Sequence, residues 1–251
     1  MESAIPAHLR KAGTCPVSTP AGHQPPFPAW TARFSPLTGQ SVMACFGIQG
    51  PADRSPAALA EFSGFLSAAD GPGHQDLAVC TDSTGVCNTI IIAYWPCLSQ
   101  FRQWQETSGF QAWWQAAERE FGDYGYFLEV VSPQAENVET LFSDNSSPEG
   151  LARLGVGMSD EIIEHGYWGS ARDRLPAARH SRLTEDKTGG DASVSGKRVL
   201  LAGRNNLCLI RSGQDWSDTG HEEREKYLTG IEPVLREGMH FLRDQGCQLA
   251  V

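Results

Sequence analysis

The stretch Gln40-Ser41-Val42-Met43-Ala44-Cys45-Phe46-Gly47-Ile48, closed by Gly50-Pro51, is a β-type apolar run ended by a chain breaker. It predicts a strand. Ser55 and Pro56 then mark a helix start, the serine as N-cap and the proline at the first helical position. Leu59, Phe62, Leu66 and Ala69 recur at three- and four-residue spacing until Gly71-Pro72-Gly73 stops the pattern. Two further strands are predicted, around Leu77–Thr81 and at Asn88–Trp95, with Asp82-Ser83-Thr84-Gly85 as the turn of a hairpin. From Ser99 a helical stretch carries Phe101 and Trp104, breaks near Thr107-Ser108-Gly109, and resumes with Phe110, Trp114, Ala117 and Phe121. Tyr124–Val131 returns as a strand. The order strand, helix, strand, strand, helix, strand is that of a ferredoxin-like unit, an α+β architecture. Its sheet has helices on one face only, so the other face requires a second such unit or another subunit.

Outward from this unit, residues 1–28 carry Pro6, Pro16, Pro20, Pro25, Pro26 and Pro28 and read as an extended arm without regular structure. The ferredoxin-like unit takes residues 29–142. Residues 143–196 read as a connection, polar at 143–160 and again at His180–Ser195, that contains an arginine motif. Residues 197–251 begin a second unit. Lys197–Ile210 reads as two strands around Gly203-Arg204-Asn205-Asn206, and Ser217 or Asp218 as the cap of a long helix. Tyr227, Leu228, Ile231, Leu235, Met239 and Leu242 share one face of that helix; Pro233 should kink it and Gly246 end it. Five residues follow Gly246, so the second unit is started and left incomplete.

The 251 residues carry a net charge of −10, which disfavours phosphate backbones and anionic membranes as partners. No nucleic-acid or membrane role is expected, and the longest apolar run, Ile90–Trp95, is far too short to span a bilayer. No secretory signal is read at the start, and the seven scattered cysteines read as reduced core thiols of a cytoplasmic protein. Their spacing does not suit zinc, and neither a serine-hydrolase elbow nor a phosphate-binding glycine loop occurs. Two dense segments remain that packing alone does not account for: Glu164-His165-Gly166-Tyr167-Trp168-Gly169-Ser170-Ala171-Arg172-Asp173-Arg174-Leu175-Pro176 and Leu209-Ile210-Arg211-Ser212-Gly213-Gln214-Asp215-Trp216. By pattern alone Ser212 reads as a turn or capping residue, Arg172 and Arg174 as a surface ion-pair cluster with Asp173, and His165 as a structural histidine.

With Gln24-Pro25-Pro26-Phe27-Pro28-Ala29-Trp30 and Gly238-Met239-His240-Phe241-Leu242-Arg243-Asp244, these segments resemble the aldoxime dehydratase family, in order over almost the whole chain. The resemblance implies a haem-dependent lyase, with ferrous haem b as cofactor, that dehydrates a small-molecule aldoxime to a nitrile. It also implies two ferredoxin-like units closing into a dimeric α/β-barrel type of fold, with homodimerisation allowed. Ser212 matches the family's distal serine, which hydrogen-bonds the leaving hydroxyl; Arg174 best matches the arginine of the distal network, with Arg172 in reserve. The hydroxyl leaves as a poor leaving group, so an acid must protonate it and donors must hold its oxygen. In the family the axial histidine and the acid histidine lie beyond the position of Gly246, so no metal ligand is expected within this chain. Weak haem binding and no useful turnover are therefore expected of these 251 residues alone. The alternative from another class is a catalytically inert ferredoxin-like module used for binding or dimerisation.

Overall fold

Every second residue of the first strand is sealed from water: Val42, Ala44, Phe46 and Ile48 are buried, while Met43 and Cys45 are half-buried on the opposite side. A period of two is what a pleated strand with one covered face requires. The computed structural model describes residues 1–51, 55–184, 192–203 and 206–245. Its first elements are β1 (Ala32–Arg33), β2 (Val42–Gly50), α1 (Ser55–Leu66), β3 (His74–Thr81), β4 (Cys87–Trp95), α2 (Leu98–Thr107), α3 (Phe110–Gln115) and β5 (Gly125–Val131). Strands β2 to β5 form one antiparallel sheet in the order β3-β4-β2-β5, with Phe46 facing Ile91 on one side and Leu128 on the other. The fold is mixed α and β with antiparallel sheets, and its element order is the one predicted.

The core lies between this sheet and its helices. The Phe46 ring meets Phe62, Trp95, Trp104 and Phe110 edge-on, at centroid distances of 5.9, 6.3, 5.7 and 5.3 Å. Aromatic edges carry partial positive charge and faces negative, so this arrangement adds electrostatic attraction to the burial of apolar area. The two buried indoles still place their N–H groups: Trp95 donates to the Asp70 carbonyl at 2.9 Å and Trp104 to the Phe65 carbonyl at 2.8 Å. Both bonds tie the sheet and α2 to the end of α1. On the other side of the sheet the Phe127 ring lies so close over Gly47 that an added Cβ would sit 1.9 Å from its Cε1. Only glycine allows that approach.

Further along, β6 (Gly157–Met158) pairs with β1, α4 (Ser170–Arg174) is a single turn, and β7 (Ala192–Ser195) pairs with β8 (Arg198–Leu201) as a hairpin. The chain divides into two compact units, Met1–Asn206 and Leu207–Val251. The second holds α5 (His221–Lys226), a π turn at Tyr227–Ile231, and α6 (Glu232–Gln245). The π turn stands just ahead of Pro233, whose ring has no N–H to donate and crowds the carbonyl four residues back. The helix absorbs the expected kink there as one widened turn.

Several expectations are corrected. The strands read at Lys197–Ile210 lie earlier, at 192–195 and 198–201, and the segment 207–210 has no regular structure; Arg204 and Asn205 of the expected turn lie outside the described residues. The true turn is Gly196-Lys197, where Gly196 adopts φ of +63° and the Lys197 amide donates to Glu120 Oε2 at 3.0 Å. Arg198 fastens the same hairpin by donating to Glu120 and to the carbonyls of Trp114 and Ala116. Those last two bonds occupy the C-terminal carbonyls of α3, which ends at Gln115. The expected helical face therefore does not continue through Ala117 to Phe121, and Phe121 is 76% exposed. The long helix begins at His221 behind Gly220 with no side-chain cap, because Asp215 Oδ1 takes the Ser217 amide in a local turn instead. Gly246 lies outside the described residues.

Residues 1–28 contain one 3₁₀ turn at Ala7–Leu9 and lie against the protein: Ala4 and Ile5 are buried, and Glu2 pairs with Ile162. The cysteines are not uniformly core thiols. Cys80, near the end of edge strand β3, and Cys208, outside regular structure, are exposed, and Cys15, Cys45, Cys87 and Cys97 are half-buried.

Candidate functional site

Arg174 closes the single turn of α4, and its guanidinium is buried, with 6% of the side chain exposed. Its Nε donates to Glu139 Oε1 at 2.6 Å, its Nη2 pairs with the same oxygen, and its Nη1 donates to the Glu164 carbonyl at 2.8 Å. The planar fork uses its geometry to join two segments distant in sequence. A buried arginine held in this way is no surface ion-pair cluster. Arg172 does occupy the surface role, donating to the carbonyls of Ser181 and Arg182. The structure thus separates the two arginines, and the reserve candidate is a loop tether.

Asp173 between them is also buried and points toward the arm. Its carboxylate accepts the Ser18 amide at 2.9 and 3.1 Å, the Thr19 hydroxyl at 3.0 Å and the Tyr167 hydroxyl at 2.9 Å. Burial, together with the Asp173 carboxylate that holds its proton, pushes the Tyr167 phenol up to about 12. Tyr167 is therefore a fixed donor and a poor candidate for proton transfer near neutrality. Glu164 turns its carboxylate away from Arg174 and accepts the Ser3 hydroxyl and the Ala4 amide, both at 2.9 Å.

Glu139 was not recognisable from sequence. It stands 35 residues before Arg174 in a segment of ordinary composition, and only the pairing of distant segments identifies it. A shallow pocket lies on this pair, lined by Glu139, Arg174, Thr31, Thr140 and His8.

Ser212 belongs to the second unit, where it is exposed in a segment without regular structure. The nearby Trp216 ring packs edge-on to Tyr227 at 5.6 Å and lies under the Arg224 guanidinium at 4.7 Å. This fixes the end of the Ser212 segment onto α5.

The seven histidines are all among the described residues. His74 pairs with Asp76 at 3.0 Å, His23 is bonded to the His165 carbonyl at 2.8 Å, and His180 lies 3.8 Å from Glu136. His8, His221 and His240 are exposed. His165 is only 1% exposed, beneath Phe27. No group of three or more His, Cys, Asp or Glu suited to a metal ion occurs among the described residues. No described helix is long and apolar enough to cross a membrane.

The profile of the haem-containing dehydratase family matches residues 44–250. The chain is 41% identical to an aliphatic aldoxime dehydratase of Pseudomonas sp and 39% identical to one of Rhodococcus erythropolis, over 98% of its own length and 72% of theirs. It is 32% identical to the phenylacetaldoxime dehydratase of Bacillus sp. (strain OxB-1), over 91% of its length and 67% of that enzyme's. A crystal structure of an aldoxime dehydratase superposes with a TM-score of 0.91 at 37% identity, covering 99% of this chain and 73% of that one. Another, in complex with butyraldoxime, superposes with a TM-score of 0.87 at 33% identity, covering 99% and 71%. With the family model matching most of its length and relatives 39–41% identical over 98% of it, the chain belongs to the haem-containing dehydratase family.

Proposed function

We propose that this protein acts in the haem-dependent dehydration of aldoximes to nitriles, with aliphatic or arylaliphatic aldoximes as the substrate class. The observation that carries the reading is likeness to aldoxime dehydratases along nearly the full chain, in both sequence and backbone. The buried Arg174–Glu139 pair suits the polar surroundings of such a site.

The roles proposed for the chain's own residues are specific. Ser212 donates a hydrogen bond to the oxime oxygen, which matters most as that oxygen gains charge on leaving. Arg174 supplies the fixed positive charge of its own buried network, and Glu139 is a positioning residue that sets the plane of its guanidinium. We read the four-stranded sheet as a ferredoxin-like unit of a barrel-type fold, a reading supported by the strand order β3-β4-β2-β5 with helices packed on one face. Assembly as a homodimer belongs to the same reading, as does cytoplasmic placement, which the six cysteines held as thiols rather than disulfides among the described residues support.

The second reading is a catalytically inert binding or dimerisation module. Anaerobic titration of purified protein with reduced haem, followed by nitrile detection from butyraldoxime and phenylacetaldoxime, separates the two. Stoichiometric haem with sustained nitrile formation supports the dehydratase. Failure of both haem uptake and nitrile formation supports the module.

A further inference from the structure

Neither ring nitrogen of His165 makes a well-formed hydrogen bond, the Ile162 carbonyl being only a weak partner, yet the side chain is among the most deeply buried of those described. Such a group is costly in the neutral form and far more so as a cation. What seals it is the arm. Phe27 covers the imidazole at 5.2 Å between ring centroids, and Pro26 lies directly on Gly166, where an added Cβ would be 2.4 Å from Pro26 Cδ. His23 bonds the His165 carbonyl at 2.8 Å and packs edge-on to Tyr167 at 4.7 Å. One short segment, residues 23–27, forms the lid.

The charged groups around the imidazole do not welcome a proton. Arg174 from α4 and His23 from the arm oppose a positive charge; Glu164, the adjacent residue, favours it but spends its carboxylate on Ser3 and Ala4. The Ile162 carbonyl is a weak favourable neighbour.

We propose that His165 is a proton-operated latch for the N-terminal arm: neutral, it accepts the apolar lid of residues 23–27, and protonated, it forces that lid open and exposes the ground beside Arg174. No bond to carbon and no redox change is involved; a single proton moves from solvent to the imidazole. The proposal does not depend on which reaction the protein carries out.

Burial, first of all, and then Arg174 push the imidazole below the ordinary histidine range. The sign follows. The closed form holds fewer protons than the open form, so closure is fully present above the ordinary histidine range and weakens as the pH falls through it.

Hydrogen exchange of the intact protein tests this, with rates corrected for their intrinsic pH dependence. Between about pH 7.5 and about pH 5, protection in residues 18–30 should fall by about tenfold or more, while protection of Phe46 and Ile91 in the sheet stays unchanged. In His165→Phe, an apolar ring of similar size, the arm should stay closed in acid; His165→Leu is the second variant should phenylalanine not fold. His23→Phe should loosen the arm at all pH values and keep the acid response. The wild-type protein gives an independent readout: the imidazole resonance of His165 should titrate in step with loss of arm protection. Titration of His165 with the arm still closed would overturn the proposal. So would an equal acid response in His165→Phe, or its loss in His23→Phe.

Discussion

Arg174 has almost no freedom in its surroundings. Three of its contacts join Glu139 and the Glu164 carbonyl, and the side chain is nearly sealed from water. A lysine there keeps the charge and loses the fork, so Arg174→Lys should lower turnover in the haem-loaded enzyme, and recovery of full activity would remove this residue from the mechanism. Arg174→Ala leaves Glu139 facing a half-buried site without a counter-charge, which should cost about 2–4 kcal/mol in urea unfolding. Ser212 predicts the opposite pattern. Being exposed, its replacement by alanine should move stability by no more than about 0.5 kcal/mol while lowering turnover by roughly 10²–10³-fold, read by nitrile formation at saturating aldoxime. The motif around Arg174 was recognisable as a motif. Its partner Glu139 was not, because a carboxylate 35 residues away acquires meaning only when the chain brings it back.

At the scale of elements, the central strand carries a lock of its own. In Gly47→Ala the new methyl would overlap the Phe127 ring, so β2 and β5 must separate or the ring must swing out. The expected loss is about 1–3 kcal/mol by thermal or urea unfolding, and Phe127→Leu in the same chain should recover part of it. The hairpin β7–β8 hangs on Glu120, which the Lys197 amide and the Arg198 guanidinium hold below the usual carboxylate range. A lowered carboxylate contributes above its ordinary range and loses its contribution as the pH falls through the lowered value. The hairpin should therefore stay attached through mild acid, and Glu120→Gln should release it at neutral pH, seen as faster exchange confined to residues 192–201. The sequence already held the Gly196-Lys197 turn. It is hard to read there because Ser193 and Ser195 look like loop residues until their strand is paired, and because the tie to Glu120 spans 77 residues.

For the whole molecule, the distribution of apolar surface is the governing fact. Val194, Val199, Leu200 and Leu201 of the hairpin are 61–71% exposed, and Val234, Leu235, Met239 and Leu242 of α6 are 51–68% exposed. Exposed apolar side chains on each of these elements promote association. Purified protein should bind a hydrophobic dye and show an apparent mass in light scattering that rises with concentration; a stable monomer that excludes the dye would contradict this. The sequence by itself determined the alternation of β2, the break at Gly109 and the order of the elements from β2 to β5, because periodicity and local dihedral preference are properties of short segments; the family was legible in the resemblance of whole motifs. Tertiary structure alone decided which polar groups meet: Arg174 with Glu139, Asp173 with the arm, and the His165 ring with no well-formed bond. Those choices depend on segments tens to hundreds of residues apart being packed so that each buried charge or donor finds, or is denied, a partner, and no local pattern contains that information.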